Sequence, residues 1–106
     1  MTISALKYLK NLEELDLHHN KIKNIGEIAG LQFLNRLYLE ENQITDLEAL
    51  KNLKQLEILD LSRQKDQFDQ IVLFNDDVRS DLQNALQNCE IHLGENEEGP
   101  LEESVD

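Results

Sequence analysis

Asp16 and Asp60 each stand between two leucines in the tripeptide LDL. Two such carboxylates on one sheet can divide into a general acid and a general base, provided an apolar pocket raises the pKa of one. Two strands apart, they would be separated by about 9.5–10 Å, at or beyond the wide end for an inverting glycosidase. An open acidic sheet offers no such pocket, and the chain has no tryptophan to stack a sugar. His18 and His19 are adjacent, so on a strand they point to opposite sides, and His92 falls three strands away. No zinc-like spacing results. Glu14, Asp16 and Glu40 can offer carboxylates to calcium, but a flat sheet does not readily supply six to eight oxygens. Cys89 is the lone cysteine. It has no nucleophile's partner, and its phase points inward, as for a packed thiol. There is no Gly-rich phosphate loop and no Ser-His-Asp arrangement. The expectation is no catalysis, no metal and no cofactor.

The elements that would carry these residues recur every 22 residues. Leu9, Leu31 and Leu53 match, as do Leu12, Leu34 and Leu56, then Leu15, Leu37 and Leu59, then Leu17, Leu39 and Leu61. Asn20 and Asn42 follow at one offset, Ile22 and Ile44 at the next. A fixed period in this range predicts a solenoid. Alternation in LDL and LYL turns both leucines inward and the residue between them outward. Short parallel strands are predicted at Glu14–His18, Arg36–Glu40 and Ile58–Ser62. An inward asparagine at the strand exit can pair backbone groups that the turn leaves open. Ile22, Ile25 and Ile28, with Ile44, Leu47 and Leu50, form the other wall of the core.

The stretches LKNLEELDLHHNKIKNI and LQFLNRLYLEENQITDL resemble the leucine-rich repeat family, in its short SDS22-like or bacterial class. The resemblance covers most of Ile3 to Asn96. It implies an α/β solenoid with strands on a concave face, irregular or 3₁₀ returns on the convex face, and a partner docked on the concave side.

The chain divides into a partial repeat (1–8), repeats 9–30 and 31–52, an enlarged third repeat (53–88) and a last strand (89–93). The third repeat begins faithfully and then departs. Gln64 replaces the asparagine, and Asp66 and Asp69 replace apolar residues. Phe68, Ile71, Val72, Leu73 and Phe74 supply the apolar content of the longer segment that follows. Asp76–Asn88 reads as a helix capped by Asp76 or Asp77, with Val78, Leu82, Ala85 and Leu86 on one face. In the last strand Cys89, Ile91 and Leu93 alternate inward, and Asn96 occupies the ladder offset. The helix and last strand form a C-terminal cap.

The formal charge is −12. Six acids and no Lys or Arg fall in 94–106, so 97–106 reads as an acidic disordered tail. This balance opposes nucleic-acid phosphates and anionic membranes and favours a basic protein partner. A lone cysteine and no visible signal peptide favour a cytoplasmic or other intracellular setting. No stretch approaches membrane-spanning length. The chain begins in mid-repeat, with Ile3 and Leu6 aligned to Ile25 and Ile28. It reads as the C-terminal part of a longer regulatory or adhesin-like repeat protein, or as one whose uncapped end is covered by another molecule. A bare end leaves an edge strand that invites a homodimer.

The outward strand positions are the candidate partner-binding residues: Glu14, Asp16 and His18; Arg36, Tyr38 and Glu40; Ile58, Asp60 and Ser62; Glu90 and His92. Tyr38 and Ile58 form a candidate hot spot near the centre, with Arg36 as a bidentate anchor. Phe33 is an exposed convex residue and a possible second contact.

Overall fold

The structure, a computed structural model, describes residues 3–94. Asn96 and the acidic segment 97–106 lie outside them. Four short parallel strands form one sheet in chain order: β1 (Glu14–Asp16), β2 (Arg36–Tyr38), β3 (Ile58–Asp60) and β4 (Glu90–His92). Leu15, Leu37, Leu59 and Ile91 are in register across it. Three 3₁₀ turns stack on the opposite face: η1 (Ser4–Tyr8), η2 (Gly26–Gly30) and η3 (Glu48–Asn52). Between the two faces lie the repeated leucines and isoleucines. Leu34, Leu37, Leu39, Ile22, Ile28 and Ile44 are completely buried. Burying one such side chain contributes about 1.5–3 kcal/mol relative to leaving it in water.

The strands are shorter than the five residues expected. The ladder continues past them, because Leu17 N–H donates to Tyr38 O (2.8 Å) and His19 N–H to Glu40 O (2.9 Å). The backbone then swings into the left-handed region at His19, Glu41 and Arg63, with φ of 58°, 61° and 63°. This turn ends strict alternation. His19 therefore does not point inward opposite His18; both imidazoles are exposed.

The ladder predicted at the strand exit forms, and Gln64 extends it rather than breaking it. Asn42 accepts from Ile22 N–H (3.1 Å) and donates to Leu17 O (3.0 Å) and Leu39 O (2.9 Å). Gln64, fully buried, accepts from Ile44 N–H (2.9 Å) and donates to Leu39 O (2.7 Å) and Leu61 O (3.2 Å). The amide group matters and the extra methylene is accommodated. Asn20, in the first coil, is only half-buried and bonds Leu17 O and His18 O.

Asp66 and Asp69 form a turn where the earlier repeats have core residues. Asp66 Oδ1 accepts from Phe68 N–H (2.8 Å) and Gln70 N–H (3.0 Å), and Asp69 takes a left-handed φ of 65°. Of the apolar residues that follow, Phe74 is buried and Val72 half-buried; Phe68, Ile71 and Leu73 are exposed.

The helix α1 spans Asp76–Ala85 and stacks on η3 in the place of a fourth 3₁₀ turn. Its cap is Asn75, whose side chain accepts from Val78 N–H (2.9 Å), not Asp76 or Asp77. Those two acids sit in the first turn, where they complement the helix dipole. The helix stops three residues earlier than predicted. Lys54 Nζ donates to Ala85 O (2.9 Å), closing a terminal carbonyl, and the chain must reach β4 by Glu90. Lys51 ties the two elements together by pairing with Glu48 (2.8 Å) and with Asp81.

Candidate functional site: the concave sheet face

Register turns the outward residues into rows. The first row runs Glu14, Arg36, Ile58, Glu90, and the second Asp16, Tyr38, Asp60, His92. A third, just past the strands, holds His18, Glu40 and Ser62. Gly94 ends that row at φ 95°, where a Cβ would lie 3.2 Å from Ser62 Cβ. A side chain there would crowd the edge, and the left-handed backbone favours glycine. All eleven candidate residues thus lie on one surface. Asp16 and Asp60 flank Tyr38 rather than each other, so no carboxylate dyad forms. Tyr38 and Ile58 are diagonal neighbours, about 8 Å apart at standard strand spacings. Both are half-buried.

Much of the charge on this face is paired within it. Arg36 Nη1 lies 3.3 Å from Glu14 Oε1. His18 Nδ1 lies 2.6 Å from Asp16 Oδ1. That bond holds the Asp16 carboxyl below its usual range and the His18 imidazole above its own, with Glu40 and Glu41 adding to the latter. His92 Nε2 lies 2.7 Å from Glu90 Oε2. Arg36, the expected anchor, thus faces Glu14 across the strands through one exposed contact. Glu40 is different. Burial, then the Asp60 charge, pushes its pKa up. Its Oε1 is buried without a hydrogen-bond partner among the described residues.

Sequence reading missed the rim of this face. Glu41 lies 2.7 Å from His19 Nδ1 and 3.6 Å from Arg63 Nε, linking three coils at one offset. Extending the 22-residue comparison one position past the strand would have found it. Phe33 is exposed, as its neighbours predicted. Cys89 is buried, and desolvation, then Glu90, pushes its thiol up to about 11. No cluster of three or more metal-binding side chains occurs among the described residues, and no described helix is long and apolar enough to cross a membrane.

The leucine-rich repeats family model, two copies in length, matches residues 10–51 and again residues 32–75. This chain belongs to the leucine-rich repeat family. Leucine-rich repeat relatives include the septation initiation network scaffold protein cdc11 of Schizosaccharomyces pombe. It is 46% identical over 57 residues, a span of 50% of this chain and 6% of cdc11. Lumican of Oryctolagus cuniculus is 46% identical over 56 residues, 50% of this chain and 29% of lumican. Among solved leucine-rich repeat structures, an internalin (inlF) of Listeria monocytogenes superposes with a TM-score of 0.71 at 25% identity. It matches 87% of this chain and 24% of the internalin chain. The chain therefore spans well under two thirds of the relatives it matches.

Proposed function

We propose that this leucine-rich repeat chain is a protein-recognition module, without catalysis of its own, that takes its partner on the concave sheet face. The observation that carries the reading is the placement of Tyr38 and Ile58. They are the aromatic and the aliphatic member of an otherwise polar surface, held on the two central strands of a fixed parallel sheet. A rigid surface loses little freedom on binding, so its contacts are not spent on ordering it. The relative cdc11 is a scaffold protein, which suits a binding role. The buried single thiol fits a reducing, intracellular setting, which belongs to the same reading.

The test is affinity capture from the source cell with the native chain and a Tyr38→Ala/Ile58→Asp double variant of matched circular dichroism. A specific protein retained by the native chain and lost by the variant supports the reading. Equal capture of the same protein by both places the contact elsewhere and overturns it.

A second reading is favoured by the first coil. Leu9 is 48% exposed, whereas its equivalents Leu31 and Leu53 are 0% and 1% exposed beneath a preceding coil. β1 is also an edge strand. In this reading the N-terminal face is the main interface, through a neighbouring coil or a second copy. Concentration-dependent sedimentation abolished by Leu9→Lys would support self-association, and a monomer at every concentration would remove it.

A further inference from the structure

The concave face does not present its acids evenly. Glu14, Asp16 and Glu90 each have a cationic or imidazole partner on the face itself. Among the described residues, no ion pair includes Asp60 or Glu40. Both stand beside Tyr38. Asp60 is its in-register neighbour on β3, and Glu40 follows two residues later in the same chain. The aspartate uses one oxygen, Oδ1, to accept from Ser62 N–H (2.9 Å). The glutamate keeps Oε1 without a donor. An aromatic ring bordered by two carboxylates outside the close ion pairs of the face, Glu40 feeling the His18 charge only at longer range, with Ile58 diagonal to it, has the composition that recognises an organic cation. The ring face attracts the charge and the carboxylates take its N–H donors. An apolar neighbour receives the methylene stem.

We propose that Tyr38, Asp60, Glu40 and Ile58 form a cradle for a lysine or arginine side chain presented by an extended basic segment of a protein partner. This deepens the concave-face reading and rests on it. Charge complementarity selects the occupant, since the two acids of the face without a close ion pair both stand beside Tyr38, its one aromatic ring among the described residues. Glu40 Oε1 is buried without a donor, so the side chain rotates outward to bring it to an incoming ammonium or guanidinium. Burial and the neighbouring acids already make that carboxylate reluctant to stay charged alone, and an arriving cation relieves this.

The probes are hexalysine and hexaarginine peptides, with hexaglutamate as control, titrated at low ionic strength into the ¹⁵N-labelled chain. Amide shifts locate the contact. The expected result is saturable binding of both basic peptides, with shifts confined to residues 36–40 and 58–62. Tyr38→Phe should keep it, and Tyr38→Leu should weaken it about five-fold or more. The Glu40→Gln/Asp60→Asn double variant should weaken it comparably. A Glu27→Gln/Glu48→Gln pair in the 3₁₀ turns should leave it within two-fold, roughly the level expected of remote exposed charge. Concave shifts with equal affinity for Tyr38→Leu overturn the cradle and leave the concave-face reading standing. Shifts confined to the turns or the rim overturn the cradle and count against that reading. Absence of binding overturns the cradle alone, because the capture experiment decides the reading independently.

Discussion

Replacing Asn42 by alanine isolates the contribution of the side-chain ladder. The residue is 1% exposed, so water cannot substitute for what is removed. The accounting is uneven between donors and acceptors. Leu17 O still accepts from Asn20 Nδ2 (2.9 Å), Leu39 O from Gln64 Nε2 (2.7 Å), and Glu40 O from His19 N–H (2.9 Å). Ile22 N–H has no such reserve, and it is stranded in the core when Asn42 Oδ1 disappears. One orphaned buried donor costs about 1–3 kcal/mol, and each net bond lost adds about 0.5–1.5 kcal/mol. A total near 3 kcal/mol follows, with a small cavity as a further increment. In urea, at a slope of about 1.5 kcal/mol/M, the midpoint should fall by about 2 M. Asn20→Ala is the internal control. Leu17 O keeps Asn42 as donor (3.0 Å) and no core N–H is orphaned, so its cost should be about 1 kcal/mol or less. Urea unfolding followed by circular dichroism measures both. Equal midpoints for the two variants would refute the idea that the ladder works by satisfying inter-coil amides.

Three other outcomes are expected. Asn75→Ala should lower stability by about 1 kcal/mol through loss of the cap on Val78 N–H, and Asp76→Ala should do less; a reversed order in thermal melts would contradict the observed cap. By NMR, His18 should titrate above its ordinary 6.5 and Asp16 below its ordinary 3.8. Their mutual contribution is then lost as pH rises through the raised His18 value, and lost as pH falls through the lowered Asp16 value. Asp16→Asn should return His18 toward 6.5, and an unchanged midpoint would disprove the link. Cys89, with its thiol raised to about 11, should alkylate far more slowly at pH 8 in the native chain than in urea; equal rates would show that the thiol is not buried.

What the sequence made legible depended on redundancy. The leucine positions are stated three times at one spacing, so the inward wall, the parallel sheet and the outward residues could be read before any coordinates. Features stated once were not. Gln64 looks like a broken ladder because only a structure shows that a longer amide reaches the same carbonyls. Asn75 does not stand out because three polar residues in a row, Asn75, Asp76 and Asp77, are each competent caps, and the choice depends on where the helix axis starts. Phe68 and Leu73 count among the apolar content of the third repeat, and composition does not say which way they face. Asp66 and Asp69 divert them outward by building a turn. The short strands and the outward His19 share a cause that no residue type announces, since His19, Glu41 and Arg63 are not glycines yet take positive φ. The pairing of Arg36 with Glu14 needed the register as well as the alternation.

The ladder also changes what counts as a loop. Ile22 and Ile44 lie outside every strand and helix, and a map of regular structure would assign their amides to mobile connecting chain. Each nevertheless donates to a buried side chain anchored in the next coil. Releasing either proton to solvent requires two coils to part, not one turn to fray. Hydrogen exchange should therefore rank these two amides with the strand centres, and the slowest-exchanging path through the molecule should run along the stack rather than along the chain.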